Sequence, residues 1–149
     1  MTKMSQIDQF LSATPIAMAG ASRNPRKFGF VAFKELTDKG LVLLPVNPNA
    51  TEIYNKKSFR SVSELPEGID SLIIMTPRNE TAGVVVEAKA KGIRNIWIQQ
   101  MSDTPEAIAA AAGEGINLIT GECIMMYHRP TGLHKFHRAL KKLFGRLPK

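Results

Sequence analysis

Residues 20–29, Gly-Ala-Ser-Arg-Asn-Pro-Arg-Lys-Phe-Gly, combine residue types that bind phosphate groups. Gly20 permits a tight turn, Ala21 and Ser22 keep the backbone accessible, and the Ser22 hydroxyl can donate a hydrogen bond. A helix that begins near Phe28 would direct its free N–H groups and the positive end of its dipole at an anion. Positive charge is supplied by Arg23, Arg26 and Lys27. We therefore predict an anion-binding loop.

Two features argue against the dinucleotide motif G-x-G-x-x-G. Ser22 stands where that motif has its second glycine, and Pro25 interrupts the spacing. An NAD-binding protein also presents an acid to the ribose at the end of its second strand. Here that segment reads Pro45-Val-Asn-Pro48, and the next carboxylate is Glu52. NAD is therefore disfavoured, although a simple turn would explain the proline-rich segment equally well.

Cysteine and histidine give no comparable indication of chemistry. The single cysteine, Cys123, excludes an internal disulfide; we interpret it as a small buried hydrophobe, with reversible thiol–disulfide exchange as the alternative. His134 and His137 could share a helix face, but no third metal ligand is evident. The sequence has no Ser-His-Asp order, no paired catalytic carboxylates and no zinc signature. We therefore predict no catalytic residue and no metal site.

Five short apolar runs would position these motifs. They do not alternate polar and apolar residues, as strands with one wet face do, so they indicate strands buried on both sides of a parallel sheet. The runs are residues 16–19, 41–44, 72–75, 96–98 and 118–119. They begin at intervals of about 20 to 30 residues, close to the length of one β-α-β unit. We predict an α/β fold: a Rossmann-like, doubly wound, mainly parallel five-stranded sheet with helices on both faces.

Local signals mark the predicted helices between the strands. Thr104-Pro105-Glu106 offers a capping hydroxyl, a proline at the first helical position and an acid in the first turn. Left-handed C-caps are expected at Gly40, Gly92 and Gly115. Helical apolar spacing is present at Ala82, Val85, Val86 and Ala90, and again at Ile108, Ala111 and Ala112. We also predict a short leading helix at residues 4–12, and a long polar connection at residues 49–68 with one short helix at residues 61–65.

The excess positive charge lies near the C-terminus. The formal net charge is +7, and residues 128–149 contain no acid. The basic residues there are Arg129, Lys135, Arg138, Lys141, Lys142, Arg146 and Lys149, and an apolar stripe joins Leu133, Phe136, Leu140, Leu143 and Phe144. We interpret this segment as a final helix that packs its stripe on the sheet and leaves its basic face in solvent. A nucleic-acid or anionic-membrane patch is the alternative.

Taken in order, the motifs resemble the CoA-binding domain family, small stand-alone proteins similar to the N-terminal CoA-binding domain of the succinyl-CoA synthetase alpha subunit. The motifs are Gly20-Ala-Ser-x-x-Pro-x-Lys-x-Gly29, Pro45-Val-Asn-Pro48, Thr76-Pro77, Ile96-Trp-Ile-Gln99 and Gly121-Glu-Cys-Ile124. The resemblance covers residues 16–124, and the ordered set is more specific than any one motif.

The resemblance implies a coenzyme A site with three parts. The CoA phosphates would lie on the first loop, at Gly20, Ala21, Ser22, Arg23, Pro25, Lys27 and Gly29. The adenosine end would be flanked by Val46, Asn47 and Pro48. The pantetheine arm would pass Thr76, Pro77 and Gln99. In the alternative interpretation of Cys123, its thiol would face the CoA thiol and belong to the site as well. The synthetase's phosphohistidine domain has no counterpart in this sequence, so the resemblance implies no ligase activity.

Our leading hypothesis is therefore a protein that binds coenzyme A or an acyl-CoA, without catalytic activity of its own and with a regulatory role. The alternatives are an NAD(P)-binding oxidoreductase and a protein that binds nucleic acid or a partner through the basic C-terminal helix. We expect one domain over residues 1–149, with a basic helical extension at residues 128–149. We also expect a cytoplasmic protein without a membrane or nucleic-acid partner. The sequence leaves open whether the protein forms a homodimer.

Overall fold

Parallel strands form the centre of the computed structural model, which describes residues 2–149. The strands within this part are β1 (Ile16–Ala19), β2 (Leu43–Val46), β3 (Glu52–Ile53), β4 (Lys56–Lys57), β5 (Ser71–Ile74), β6 (Asn95–Gln99) and β7 (Asn117–Glu122). The main sheet has the order β2-β1-β5-β6-β7 with every neighbouring pair parallel, while β3 and β4 form an antiparallel hairpin. The predicted five-stranded sheet is confirmed.

Helices cover both faces of this sheet. They are α1 (Met4–Leu11), α2 (Phe28–Asp38), α3 (Arg78–Lys91), α4 (Pro105–Ala111) and α5 (Gly132–Leu143), with single 3₁₀ turns at Val62–Glu64 and Ile124–Met126. One buried layer joins α1 and α2 to the sheet, and a second layer joins α3 and α4 to the opposite face. The predicted doubly wound α/β fold is therefore confirmed.

The residues of β1, β5 and β6 are buried whichever way they point. Met18 and Trp97 lie in the layer with α1 and α2, whereas Ala17 and Ile96 lie in the layer with α3 and α4. Each large side chain buried in this way contributes about 1.5–3 kcal/mol. Because both sheet faces are covered, the strands show no polar alternation in the sequence.

Most of the predicted helix ends are confirmed. The Thr104 hydroxyl accepts a hydrogen bond from the Ala107 amide at 3.0 Å and caps α4. Gly92 ends α3 with φ +87°, and Gly40 follows the last turn of α2 with φ +100°. Gly115 also has positive φ, but α4 already ends at Ala111 with an extended residue as its cap, so the predicted C-cap at Gly115 is wrong. Gly115 instead turns the chain toward β7.

Strand β2 and the connection that follows it differ from the prediction. β2 begins at Leu43, two residues later than the apolar run, and includes Pro45. A proline is tolerated there because β2 is an edge strand. The connection contains the β3–β4 hairpin as well as the expected short helical turn; the hairpin turns at Tyr54 and Asn55, which have φ of 46° and 61°. The sequence lacks the glycine that usually marks such a turn.

Helices α3 and α4 bury only some of the apolar residues that show helical spacing. In α3 the buried residues are Thr81, Val85 and Ala88, whereas Val86 is 60% exposed. In α4 the buried residues are Ala107 and Ala111, while Ile108, Ala112 and, in α3, Ala90 are exposed. Of the residues with helical spacing, Val85 and Ala111 are therefore buried against the sheet, whereas Val86, Ala90, Ile108 and Ala112 are not.

The apolar stripe of α5 is exposed. Phe136 is 58% exposed, Leu143 77% and Phe144 67%. The side chain of Leu133, which the sequence placed on the same stripe, lies outside the described residues. The prediction that this stripe packs on the sheet is therefore wrong.

A buried carboxylate explains the orientation of α5. Glu122 at the end of β7 accepts a hydrogen bond from the Tyr127 hydroxyl at 2.6 Å. It also forms a salt bridge with the Lys141 ammonium at 2.5 Å. The Arg138 guanidinium also lies over the Tyr127 ring, 5.7 Å from its centre. A buried carboxylate needs such partners. The side of α5 that carries Arg138 and Lys141 therefore faces the body of the protein, while Lys135 and Lys142 are exposed.

Candidate functional site

A cleft of about 510 Å³ opens at the carboxyl ends of β1 and β5. These neighbouring strands continue in opposite directions across the sheet: β1 leads to β2 at the edge, and β5 leads to β6 on the other side. This is the switch point where ligands bind in open α/β sheets. The predicted residues that line the cleft are Gly20, Ala21, Ser22, Lys27, Gly29, Asn47, Pro48, Thr76 and Pro77.

Two glycines allow the backbone to close around the first loop. Gly20 has φ +87°, and a Cβ atom at this position would lie 2.5 Å from the carbonyl carbon and oxygen of Met75. A Cβ at Gly29 would lie 2.1 Å from the Gly20 carbonyl oxygen. No side chain fits either gap. The loop after β1 is thereby pressed against the end of β5 and against the first turn of α2.

Short side-chain hydrogen bonds order the rest of the loop. The Asn24 amide donates to the Ser22 hydroxyl oxygen at 3.0 Å, and the Arg26 amide donates to the Asn24 side-chain oxygen at 3.0 Å. The Ser22 hydroxyl proton is still available to a ligand. Lys27 is the N-cap residue of α2, and its side chain does not cap the helix. The Phe30 amide donates to the Lys27 carbonyl oxygen at 3.1 Å, whereas the amides of Phe28 and Gly29 precede this first helical hydrogen bond and supply donors for an anion.

Asn47 joins the exit of β2 to the first loop. Its side-chain amide donates to the Ala21 carbonyl oxygen at 2.8 Å, and its side-chain oxygen accepts from the Asn49 amide at 2.7 Å. These bonds occupy much of the Asn47 side chain and hold the two loops together. Pro48 and Asn49 are exposed and are left to contact a ligand.

The exit of β5 forms the opposite wall. The Thr76 hydroxyl is buried and lies 3.0 Å from the Thr81 hydroxyl, which also donates to the Pro77 carbonyl oxygen at 3.2 Å. Glu80 follows in the first turn of α3 and lines the cleft. The charged lining residues are therefore Lys27 from one wall and Glu80 from the other.

Sequence reasoning missed four lining residues, namely Phe28, Asn49, Met75 and Glu80. Glu80 could have been found from its place three residues after Pro77, because a helix start that follows a strand directs its first side chains to the same sheet edge. Nothing in the sequence singles out Met75, which lines the cleft because Gly20 approaches it closely.

Gln99 and Cys123 lie in a neighbouring cavity of about 420 Å³. Phe28, 46% exposed, lines both this cavity and the cleft. The Gln99 side-chain oxygen accepts a hydrogen bond from the Ile124 amide at 3.1 Å, and Cys123 is half-buried. The rest of the lining is Gln100, Met101, Met126 and the α5 residues His134 and His137. The two cavities thus meet at one aromatic side chain.

The remaining predicted residues lie outside both cavities. Val46 is buried in the layer with α3 and α4, Arg23 is an exposed residue of the first loop, and Pro25 lines a separate concavity on α2. Within residues 2–149, no group of three His, Cys, Asp or Glu side chains could hold a metal ion. None of the helices described here is long and apolar enough to cross a bilayer.

The chain matches a family model described as a CoA binding domain over residues 14–129. It is 28% identical over 129 residues to the alpha subunit of ADP-forming acetate–CoA ligase II from Pyrococcus furiosus, covering 79% of this chain and 28% of that one. It is 36% identical over 85 residues to the Archaeoglobus fulgidus acetate–CoA ligase II, covering 56% of this chain and 13% of the enzyme. The chain therefore spans less than a third of either relative.

Solved structures of similar size share the fold. A conserved hypothetical protein from Pyrococcus furiosus superposes with a TM-score of 0.67 at 37% identity, covering 74% of this chain and 96% of that one. A hypothetical protein from Pyrococcus horikoshii gives a TM-score of 0.76 at 26% identity, covering 84% and 88%. The α/β architecture around the cleft is thus found in chains that consist of little else.

Proposed function

The chain belongs to the CoA-binding domain family, and we propose on that premise that it binds coenzyme A or an acyl-CoA in the cleft between β1 and β5. The observation that carries the proposal is the convergence of three loops at the switch point, those after β1, β2 and β5. The cleft offers unpaired helix amides, a free hydroxyl proton and one lysine to phosphate groups.

In this proposal each part of the ligand has its own surface. The diphosphate lies against residues 20–29 and the first turn of α2, and the adenosine lies beside Pro48 and Asn49. The pantetheine arm passes Phe28 and enters the neighbouring cavity, where Gln99 and Cys123 flank its sulfur end. A mainly apolar channel with a few amide partners suits such an arm.

The proposal stops at binding. Ligase activity belongs to the full-length relatives, of which this chain matches 28% and 13%. The cleft lining combines amides, hydroxyls, one lysine and one carboxylate, and we assign no catalytic step to them. A regulatory protein that responds to the level of CoA or acyl-CoA is the role that binding alone supports.

Thermal unfolding with and without ligand tests the proposal. A ligand at a concentration about 100 times its Kd stabilises the folded protein by about 2.7 kcal/mol. We expect CoA and acetyl-CoA to raise the Tm, and NAD and ATP to raise it less. The variant Ser22→Asp places a carboxylate at the phosphate position and should abolish the CoA shift, whereas Ser5→Asp on the exposed face of α1 should keep it. A clear shift with NAD and none with CoA would show that the proposal is wrong.

A further inference from the structure

A second concave region adjoins the cleft on the side of the β3–β4 hairpin. It measures about 440 Å³ and shares Pro48 and Asn49 with the cleft. Its far side is lined by Lys57, Ser58 and Arg60. The region therefore lies directly beyond the surface to which we assign the adenosine.

Backbone hydrogen bonds fix this far side against β2. The Phe59 amide donates to the Pro45 carbonyl oxygen at 2.9 Å, and the Phe59 carbonyl oxygen accepts from the Asn47 amide at 2.8 Å. The Ser58 amide donates to the Thr51 carbonyl oxygen at 2.9 Å. Ser58 and Arg60 flank Phe59, so their backbone positions are set by the same ladder that positions the exit of β2.

Ser58 carries a polar group without a protein partner. The residue is 7% exposed, and its hydroxyl oxygen is buried with no hydrogen-bond partner among the described residues. Buried hydroxyls in folded proteins are nearly always paired. An unpaired hydroxyl beside an open concavity is a group that a bound acceptor can satisfy.

The charges around the region favour an anion. Lys57 and Arg60 are both exposed, and the Lys57 ammonium lies 5.4 Å from the centre of the Phe59 ring. The acid that faces this group is Glu52, which pairs with Lys57 across the hairpin and does not line the region. The lining itself contains two cations and no acid.

We propose that Lys57, Ser58 and Arg60 bind the phosphomonoester on the ligand's ribose, the 3′-phosphate of coenzyme A. The inference rests on the proposed function, because it needs the diphosphate on the first loop and the adenosine beside Pro48 and Asn49. The 3′-phosphate on the ribose, which is the third phosphate of CoA, then lies toward the hairpin. Arg60 supplies a planar pair of donors, Lys57 a point charge and Ser58 a hydroxyl donor.

The same arrangement accounts for the missing acid at the end of β2. A carboxylate placed there to bind ribose hydroxyls would repel a ribose phosphate. The chemistry of a ribose phosphomonoester is shared by the 3′-phosphate of CoA and the 2′-phosphate of NADP. Both ligands therefore belong in the test, and we assign the 3′-phosphate.

Calorimetric titration with CoA and with dephospho-CoA, which lacks only the 3′-phosphate, tests the site. The wild-type protein should bind CoA at least about tenfold more tightly, the effect of one hydrogen bond to a charged group. Arg60→Gln should lower the affinity for CoA by a similar factor and leave the affinity for dephospho-CoA unchanged. Lys56→Gln, on the same hairpin but outside the lining, is the matched control and should change neither affinity.

The outcomes separate this inference from the proposed function. If CoA and dephospho-CoA bind equally well, the cleft binds the ligand and the phosphate site is refuted. If Arg60→Gln weakens both ligands equally, Arg60 does not recognise the 3′-phosphate. Tighter binding of NADP than of CoA would overturn the assignment to CoA. Binding of neither CoA nor dephospho-CoA would refute the proposed function and this site together.

Discussion

Replacing Gly20 by alanine tests the close approach between the first loop and the end of β5. The new Cβ atom would lie 2.5 Å from the Met75 carbonyl carbon and oxygen, and the backbone would keep φ +87°. A left-handed alanine costs about 1–2 kcal/mol, the clash with fixed backbone adds about 1–3 kcal/mol, and the stiffer unfolded chain returns about 0.4–1 kcal/mol. We expect Gly20→Ala to lower the free energy of unfolding by about 3 kcal/mol.

Gly68→Ala is the matched control for this variant. Gly68 also has φ +87°, but a Cβ atom there meets no atom within 4 Å. Its replacement should therefore cost only the backbone strain, about 1 kcal/mol. Urea denaturation followed by circular dichroism gives both free energies. If the two variants differ by less than roughly 0.5 kcal/mol, the contact with Met75 does not constrain the loop and the reasoning fails.

Three further changes test other contacts. Gly29→Ala should lower the free energy of unfolding by about 1–3 kcal/mol, since its Cβ would lie 2.1 Å from the Gly20 carbonyl oxygen. Gly83→Ala, in open space on α3, is the control and should raise the free energy of unfolding by about 0.5–1 kcal/mol. If urea denaturation shows that both variants are more stable than the wild type, the loop contact is contradicted. Thr104→Ala should lower the free energy of unfolding by about 1 kcal/mol, because it removes the hydroxyl that caps α4, and Thr104→Ser, which keeps a hydroxyl, should lower it much less. Equal losses for the two variants in the same assay would show that the hydroxyl does not stabilise the helix. Burial, helped by the hydrogen bond to Glu122, raises the pKa of Tyr127 far above its ordinary value. Tyrosine in the unfolded chain loses its proton at about pH 10, whereas Tyr127 in the folded protein keeps it. The free energy of unfolding should therefore fall as the pH rises above that point. Tyr127→Phe should flatten this decline in alkaline denaturation curves, and an unchanged slope would rule out the buried hydroxyl as its cause.

The strands could be predicted from the sequence because their burial is not one-sided. Ala17 and Met18 are adjacent and both buried, one in each layer, and this produces the unbroken apolar run. The hairpin after β2 could not be predicted in this way, since Tyr54 and Asn55 adopt left-handed conformations without a glycine. Such a turn depends on the contacts of β3 and β4 with their surroundings rather than on local preference.

The orientation of α5 was also beyond the sequence. Its spacing shows an apolar stripe, and burial of such a stripe is the usual outcome. Here the Glu122 carboxylate, 19 residues earlier in the chain, binds Lys141 and turns the side with Arg138 and Lys141 inward. A pattern within one helix carries no information about an acid at the end of β7.

The cleft could be predicted in outline because parallel strands place all their carboxyl ends at one sheet edge. That rule alone brings Ser22, Asn47 and Thr76 together. The rule does not say which side chains lie between neighbouring cavities. The position of Phe28 between the cleft and the cavity around Cys123 was therefore missed.

The three loops of the cleft are far apart in the sequence, and this has a consequence for how a ligand changes the motions of the chain. Residues 20–29, 47–49 and 75–80 meet only when β1, β2 and β5 are paired, so no local fragment can form the cleft. A ligand held there opposes every opening that separates these strands. Its stabilisation therefore appears as slower hydrogen exchange across β1, β2 and β5 together, and not as the ordering of one loop.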